Sequence, residues 1–126
     1  MEPRKILLAE DDEMLASLLK YRLEKEGYAV TVRSDGKAVK QDISAQLPDA
    51  IISDIMMPYF SGIELVDYLR NNLKSDIPII LISAASNEEN VISAFKLGAN
   101  DFIAKPVSPS ELLIRVSKEI ERFYRT

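Results

Sequence analysis

Apolar runs alternate with amphipathic segments along the whole chain. The apolar runs predict five strands, over Lys5–Ala9, Ala29–Arg33, Ala50–Asp54, Ile77–Ser83 and Asp101–Ala104. Helical periodicity and polar caps predict five helices, over Asp12–Glu26, Gly36–Gln46, Gly62–Asn72, Asn87–Leu97 and Pro109–Tyr124. Strands that alternate with helices in this way are typical of an α/β domain, in which helices cover both faces of a parallel sheet.

Short motifs mark where the predicted helices begin and end. Gly27 and Gly98 stand where helix C-caps belong. Three helices are preceded by capping boxes, the last with proline at the first helical position: Ser61-Gly62-Ile63-Glu64, Ser86-Asn87-Glu88-Glu89 and Ser108-Pro109-Ser110-Glu111.

The polarity of each strand predicts its place in the sheet. The first, third and fourth strands are continuously apolar, so we expect them in the centre. The second strand alternates, with Val30 and Val32 against polar neighbours, and the fifth is short, so both are expected at the edges. This sorting predicts a single doubly wound, flavodoxin-like sheet with strand order 2-1-3-4-5.

Length and composition limit the possible classes of protein. The 126 residues, 47% hydrophobic and 29% charged, suffice for one globular domain over residues 1–126. The chain contains neither Cys nor His, which excludes disulfides, thiolate or imidazole metal sites and serine-triad catalysis. A net charge of -4 argues against direct binding of nucleic acid.

The longest apolar stretch lies around Ile77–Ala85 and is interrupted by Pro78 and Ser83. It is far shorter than the roughly 20 residues that a membrane helix needs. The N-terminus leads directly into a strand, without a signal-peptide pattern. We therefore expect a cytoplasmic protein that does not bind membranes.

Reactive side chains follow the ends of four predicted strands. Asp54 closes the third strand, and Glu10-Asp11-Asp12 follows the first. Ser83 ends the fourth strand, and Lys105 follows the fifth. Because the carboxyl ends of parallel strands share one edge of the sheet, these side chains are expected to form one site.

The residue types at this edge suit phosphoryl transfer. Glu10, Asp11 and Asp54 offer oxygen ligands for Mg²⁺, whereas Asp12 and Glu13 are explained by helix capping and the helix dipole. An ionised Asp54 could act as a nucleophile and form an acyl phosphate. Lys105 would neutralise phosphoryl oxygens and Ser83 would donate a hydrogen bond to them. Taken singly, Ser83 could be an ordinary strand-end serine and Lys105 a solvated lysine.

From end to end the chain resembles the receiver domain of a two-component response regulator. The segments that carry the resemblance are Ile6–Asp12, Asp54–Pro58 with Gly62, Leu81–Ala84 and Gly98–Pro106.

The resemblance implies a role for each site residue. Asp54 would accept a phosphoryl group from a phosphohistidine of a sensor histidine kinase or phosphotransfer protein. Glu10, Asp11 and Asp54 would hold Mg²⁺ with the backbone carbonyl of Met56. Lys105 and Ser83 would contact the phosphoryl oxygens. Ser83 and Phe102 would form the switch, and the Lys105-Pro106 peptide would be cis. Met56 and Ala85 occupy the positions that tune hydrolysis, which implies a slowly self-dephosphorylating signalling domain rather than a conventional enzyme.

Some positions depart from the commoner family pattern. Glu10 replaces an aspartate, Ser83 a threonine and Phe102 a tyrosine. The family's usual output face comprises the fourth helix, fifth strand and fifth helix. There Asp101 and Arg115 match the charge pattern of the winged-helix branch, but Val91 and Lys96 do not, so a homodimer through this face stays open.

Other functions are also compatible with parts of the sequence. An aspartyl-nucleophile phosphatase would typically carry a second aspartate where Met56 stands, which disfavours that enzyme. The glycines form no nucleotide-binding loop. A pseudo-receiver is disfavoured by the intact site. The chain could be a stand-alone phosphorelay receiver or the regulatory part of a transcriptional or other response regulator.

Overall fold

The computed structural model describes residues 2–84 and 88–125. Within these ranges, five parallel strands form one sheet in the order β2-β1-β3-β4-β5. The strands are β1 Lys5–Ala9, β2 Ala29–Arg33, β3 Ala50–Asp54, β4 Ile79–Ala84 and β5 Asp101–Lys105. The predicted fold and strand order are confirmed. The continuously apolar strands β1, β3 and β4 are central because both of their faces are covered.

The helices are α1 Glu13–Lys25, α2 Gly36–Ala45, α3 Gly62–Asp67, α4 Glu88–Leu97 and α5 Pro109–Phe123. The chain continues from α3 into a π-helical segment, Tyr68–Asn72, where a single helix to Asn72 was predicted. This wide turn carries Arg70, whose guanidinium donates hydrogen bonds to the Gly98, Ser75 and Ile77 carbonyls and to Asn100 Oδ1.

Several boundaries differ by one or two residues from the sequence prediction, and two of them concern the strands that lead to the site. Strand β4 begins at Ile79 rather than Ile77, after a proline that has no N–H for the sheet. Strand β5 extends to Lys105, so the lysine is its last residue rather than the first residue after it. The start of the helix predicted at Asn87, like the Ser86 capping box, lies outside the described residues.

The helix caps predicted from sequence are largely as expected. Ser61 and Glu64 form a reciprocal capping box, and Ser108 Oγ accepts a hydrogen bond from the Glu111 amide. Gly27 and Gly98 have φ values of 102° and 113°, the left-handed conformation of a helix C-cap.

Apolar side chains are buried on both faces of the sheet. On one face α2, α3 and α4 contribute residues such as Val39, Leu65 and Ala94. On the other face α1 and α5 contribute residues such as Leu19 and Val116. Each fully buried aliphatic side chain stabilises the fold by about 1.5–3 kcal/mol, so the two layers hold the strand ends in a fixed relation. In the described part of the chain, no helix is both long and apolar enough to span a bilayer.

Candidate functional site

The sheet register brings the predicted reactive residues to one edge. Asp54 is the last residue of β3, where it pairs in register with Ile82 of β4. Strand β1 lies on the other side of β3 and leads directly into Glu10. Lys105 ends β5, two strands away, and its long side chain spans the distance to Asp54. The topology therefore places residues from distant parts of the sequence around a single carboxylate.

Each carboxylate oxygen of Asp54 accepts a hydrogen bond from a different partner. The side chain is almost fully buried, with the residue 4% exposed. Oδ1 accepts a hydrogen bond from the Met56 amide at 2.9 Å, and Oδ2 accepts one from Lys105 Nζ at 2.6 Å. These two hydrogen bonds fix the orientation of the buried carboxylate.

Glu10 is the second buried acid of the site. Its Oε2 accepts a hydrogen bond from the Asp12 amide at 3.1 Å. Among the described residues no hydrogen bond reaches Oε1, although Lys105 Nζ lies 3.4 Å from that atom. A buried carboxylate oxygen without a hydrogen bond is costly unless another group binds it.

Three acids could hold a cation at this edge. Carboxylate oxygens of Glu10, Asp11 and Asp54 all lie within 4.8 Å of one another. Asp11 is exposed, so a bound ion could keep water ligands on that side. Hard oxygen donors with access to water suit Mg²⁺, and the buried Glu10 oxygen without a hydrogen bond fits a metal ligand. The residues present are compatible with the Mg²⁺ site that the resemblance implied.

Burial and neighbouring charge set the ionisation of the site. Burial raises the pKa of Glu10 to about 7, and the Asp54 charge adds to this rise, while the Asp12 amide and Lys105 oppose it. Partial burial by itself would lower the pKa of Lys105, but its contacts with Asp54 and Glu10 raise that pKa overall. Lys105 is therefore positively charged at neutral pH and lies between two carboxylates.

Asp12 belongs to the helix and not to the acidic cluster. Its Oδ1 accepts hydrogen bonds from the Met14 and Leu15 amides at 3.1 and 3.2 Å, so it is the N-cap of α1. Glu13 follows in the first turn, where a negative charge is favoured. The interpretation of Asp12 as a helix cap and of Glu13 as an acid favoured by the helix dipole is confirmed.

Ser83 and Phe102 lie on adjacent strands next to the site. Ser83 is fully buried, and its hydroxyl donates to the Ala84 carbonyl at 3.3 Å. Its register partner on β5 is Ala104, two residues after Phe102. The Phe102 side chain is half-buried, a position from which a ring could move inward or outward. The Lys105-Pro106 peptide is cis, as the resemblance implied.

The predicted output face carries part of the expected charge pattern. Arg115 Nη1 lies 3.0 Å from Asp101 Oδ1 and also donates to the Phe102 carbonyl at 3.1 Å. Arg115 Nη2 pairs with Glu111 at 3.0 Å within α5. On α4, Val91 packs against the core, while Lys96 is exposed.

Sequence reasoning missed the close contacts that surround the loop after Asp54, which comprises residues 55–61. Gly36, taken only as a helix start, donates its amide hydrogen to the Pro58 carbonyl at 3.0 Å. The amide of Gly62 donates to the Ile55 carbonyl at 2.9 Å. The sequence signal that could have identified Gly36 is a residue without a side chain at the first position of α2, since glycine often marks a close approach of two backbones.

Comparisons with known proteins agree with this geometry. A family model described as response regulator receiver domain matches residues 6–117. The chain is 37% identical over 119 residues to the alkaline phosphatase synthesis transcriptional regulatory protein PhoP of Bacillus subtilis. That match covers 94% of this chain and 49% of PhoP, so the chain spans about half the length of this curated relative.

Solved receiver structures superpose closely on the chain. The Francisella response regulator 1452 receiver domain has 38% identity and a TM-score of 0.87, with 95% of this chain and 98% of that chain covered. A CheY-like receiver domain protein from Methanospirillum hungatei has 26% identity and a TM-score of 0.89, with 95% of each chain covered.

Proposed function

The chain belongs to the response regulator receiver domain family of two-component systems, and we propose that Asp54 is its phosphoacceptor. The observation that carries the proposal is the arrangement around Asp54, a buried carboxylate held by the Met56 amide and Lys105 beside two further acids. We also propose that residues 1–126 form a single receiver domain whose chemistry is phosphoryl transfer.

In the proposed reaction, a carboxylate oxygen of Asp54 attacks the phosphorus of a phosphohistidine on a sensor histidine kinase or phosphotransfer protein. The new O–P bond forms as the P–N bond breaks, and the electron pair of that bond leaves with the imidazole nitrogen of the donor. Asp54 enters as the anion, so no proton has to be removed from the nucleophile. The Met56 amide orients one of its oxygens, which leaves the carboxylate little freedom to rotate.

Mg²⁺, when bound, would neutralise phosphoryl oxygens during the transfer. Glu10, Asp11 and Asp54 would hold it through carboxylate oxygens, with the Met56 carbonyl as a further ligand. Glu10 contributes the buried oxygen to which no hydrogen bond is donated.

Lys105 and Ser83 would change their contacts when Asp54 is phosphorylated. Lys105 Nζ would exchange its contact with Asp54 Oδ2 for a phosphoryl oxygen, which carries more negative charge. Ser83 would turn its hydroxyl from the Ala84 carbonyl to another phosphoryl oxygen. The movement of Ser83 would open space for the half-buried Phe102 ring and so alter the surface of α4, β5 and α5.

We further propose that this surface passes the signal to the output of the protein. The similarity to PhoP favours the regulatory part of a transcriptional regulator, and a stand-alone cytoplasmic receiver is the alternative. A homodimer through α4, β5 and α5 would use the Asp101–Arg115 pair. In either setting the domain slowly dephosphorylates itself and is a signalling component rather than a conventional enzyme.

The acceptor assignment can be tested with acetyl phosphate and Mg²⁺. Intact-protein mass spectrometry should show addition of one phosphoryl group to the wild type and none to Asp54→Asn, because an amide is a poor nucleophile. Asp12→Asn is the matched control, since asparagine also caps helices and Asp12 lies outside the acidic cluster. Labelling of Asp54→Asn at the wild-type rate would show that another residue is the acceptor.

A further inference from the structure

We propose that Gly36 is a positioning residue for the Mg²⁺ site, because its missing side chain lets the first turn of α2 hold residues 55–61. This inference rests on the proposed function of that site. Gly36 lies in α2, far from Asp54 and the acidic cluster in the sequence, and it has no charged side chain that could act on them. Its influence would pass through the backbone that carries Met56.

The contact between Gly36 and residues 55–61 leaves no room for a side chain. A Cβ atom built on Gly36 would overlap the carbonyl oxygen of Phe60 and lie 2.5 Å from the Phe60 Cβ. The Gly36 amide donates to the Pro58 carbonyl at 3.0 Å, and the Phe60 amide donates to the same carbonyl at 2.8 Å. Because the obstructing atom is backbone, a larger residue at position 36 would have to push either α2 or the loop away.

The next turn of α2 reinforces this contact. Lys40 Nζ lies 5.3 Å from the ring centre of Phe60 and 5.0 Å from that of Tyr68. The two rings meet edge to face with centroids 6.0 Å apart, and Tyr68 hydrogen bonds to Ser44 of α2 at 2.6 Å. A cation over two aromatic faces is attractive. Helix α2 therefore holds Phe60 by both backbone and side chain.

The loop needs such support because its own sequence does not favour its conformation. Tyr59 has a φ of 69°, which is uncommon for a bulky residue, and its side chain is 84% exposed. Met56 is 65% exposed, so packing of its side chain does little to fix its backbone. The restraints come instead from Gly36 on one side and from Gly62, whose Cβ would lie 2.8 Å from the Asp54 carbonyl oxygen, on the other.

A contact that orders the loop should also respond to the metal. If α2 holds the Met56 backbone in the geometry that Mg²⁺ binds, then bound Mg²⁺ must in turn stabilise the contact of the loop with α2. The Gly36 amide hydrogen, which bonds to Pro58, reports this contact directly.

The first experiment uses the unaltered protein. Amide hydrogen exchange is followed by NMR with and without saturating Mg²⁺, and exchange of the Gly36 amide should slow when the metal is present. The Gly27 amide, which bonds to the Glu24 carbonyl at the end of α1, is the reference and should not change. Unchanged exchange at Gly36 while Mg²⁺ binds normally would overturn the proposal.

The second experiment compares Gly36→Ala with Lys37→Ala, an exposed neighbour on the same helix. Calorimetric titration should show that Gly36→Ala lowers the affinity for Mg²⁺ roughly 10-fold, which is typical when a residue that positions a metal ligand is lost. Lys37→Ala should leave the affinity unaltered. Equal affinity in a folded Gly36→Ala protein would also overturn the proposal, and if that variant does not fold, the exchange experiment decides. Failure of the proposed function is distinct, because the wild type itself would then neither bind Mg²⁺ nor become phosphorylated.

Discussion

Lys105 Nζ donates a hydrogen bond of 2.6 Å to Asp54 Oδ2 and lies 3.4 Å from Glu10 Oε1. One ammonium group thus faces two buried carboxylates, one at the end of β3 and one directly after β1. In the unphosphorylated protein the lysine offsets their charge, and in the proposed transfer it would neutralise the arriving phosphoryl group. A single side chain therefore connects the stability of the domain with its chemistry.

Replacing Lys105 should separate these two effects. Lys105→Met keeps much of the volume but leaves two buried acids without their cation, so the free energy of unfolding should fall by about 2 kcal/mol. Labelling by acetyl phosphate should slow roughly 100-fold, the cost of losing one donor to developing charge. Lys37→Met, on the exposed face of α2, is the matched control.

The stabilising effect of the Lys105 charge depends on pH. Because the pKa of Lys105 is raised from 10.5, the effect is present below that pH and is lost as pH rises further.

Urea denaturation and a labelling time course measure the two quantities. Wild-type labelling kinetics in Lys105→Met would contradict a role for the ammonium group in the transfer, whatever its effect on unfolding.

Neutralising Glu10 should stabilise the metal-free protein in a pH-dependent way. Its pKa rises from 4.5 to about 7 in the fold, so the folded state keeps a proton that the unfolded chain has lost. The penalty is absent below pH 4.5 and grows as pH rises to about 7. Glu10→Gln should therefore raise the free energy of unfolding near pH 8 by on the order of 3 kcal/mol, the equivalent of this shift, and change it little near pH 4.

The measurement is urea denaturation in the presence of a chelator at both pH values. Glu13→Gln, an exposed acid in the first turn of α1, serves as the control and should show no comparable gain. If the stability difference between wild type and Glu10→Gln did not vary with pH, the pKa of Glu10 would not be raised by burial.

Millimolar Mg²⁺ should raise the melting temperature of the wild type. The ion relieves repulsion among Glu10, Asp11 and Asp54 and binds the folded state in preference to the unfolded chain. Asp11→Ala removes one ligand without disturbing the buried pair, so its melting temperature should rise much less. Differential scanning calorimetry over a Mg²⁺ series measures both responses, and an equal rise in the two proteins would rule out Asp11 as a ligand.

The acyl phosphate on Asp54 should persist for minutes or longer. Attack on phosphorus needs a positioned water, and neither the thioether of Met56 nor the methyl group of Ala85 can orient one. Ala85 lies outside the described residues, so this expectation rests on its sequence position. The double variant Met56→Asn with Ala85→Glu supplies polar groups and should shorten the lifetime. Decay of the phosphorylated protein after removal of the donor measures it, and decay of the wild type within seconds would show the expectation wrong.

Local sequence patterns were sufficient to predict the fold and to place the candidate site residues at one edge of the sheet. Local patterns fix strands and helices, and the continuous apolarity of β1, β3 and β4 against the alternation in β2 was enough to order the sheet. Parallel strands then necessarily place Glu10, Asp54 and Lys105 at one edge. Asp12 could be recognised as a cap because N-capping depends on only a few neighbouring residues.

How these residues pair, and which contacts support them, depends on segments that are far apart in the sequence. The Lys105 hydrogen bond to Asp54 and the Glu10 oxygen to which no hydrogen bond is donated depend on distances across three strands, which no local pattern encodes. The π-helical segment likewise carries Arg70, whose guanidinium donates a hydrogen bond to the distant Gly98 carbonyl. The contact of Gly36 with Phe60 joins segments that are separate in sequence, and its physical basis is steric, since the packing of α2 leaves no space for a Cβ atom.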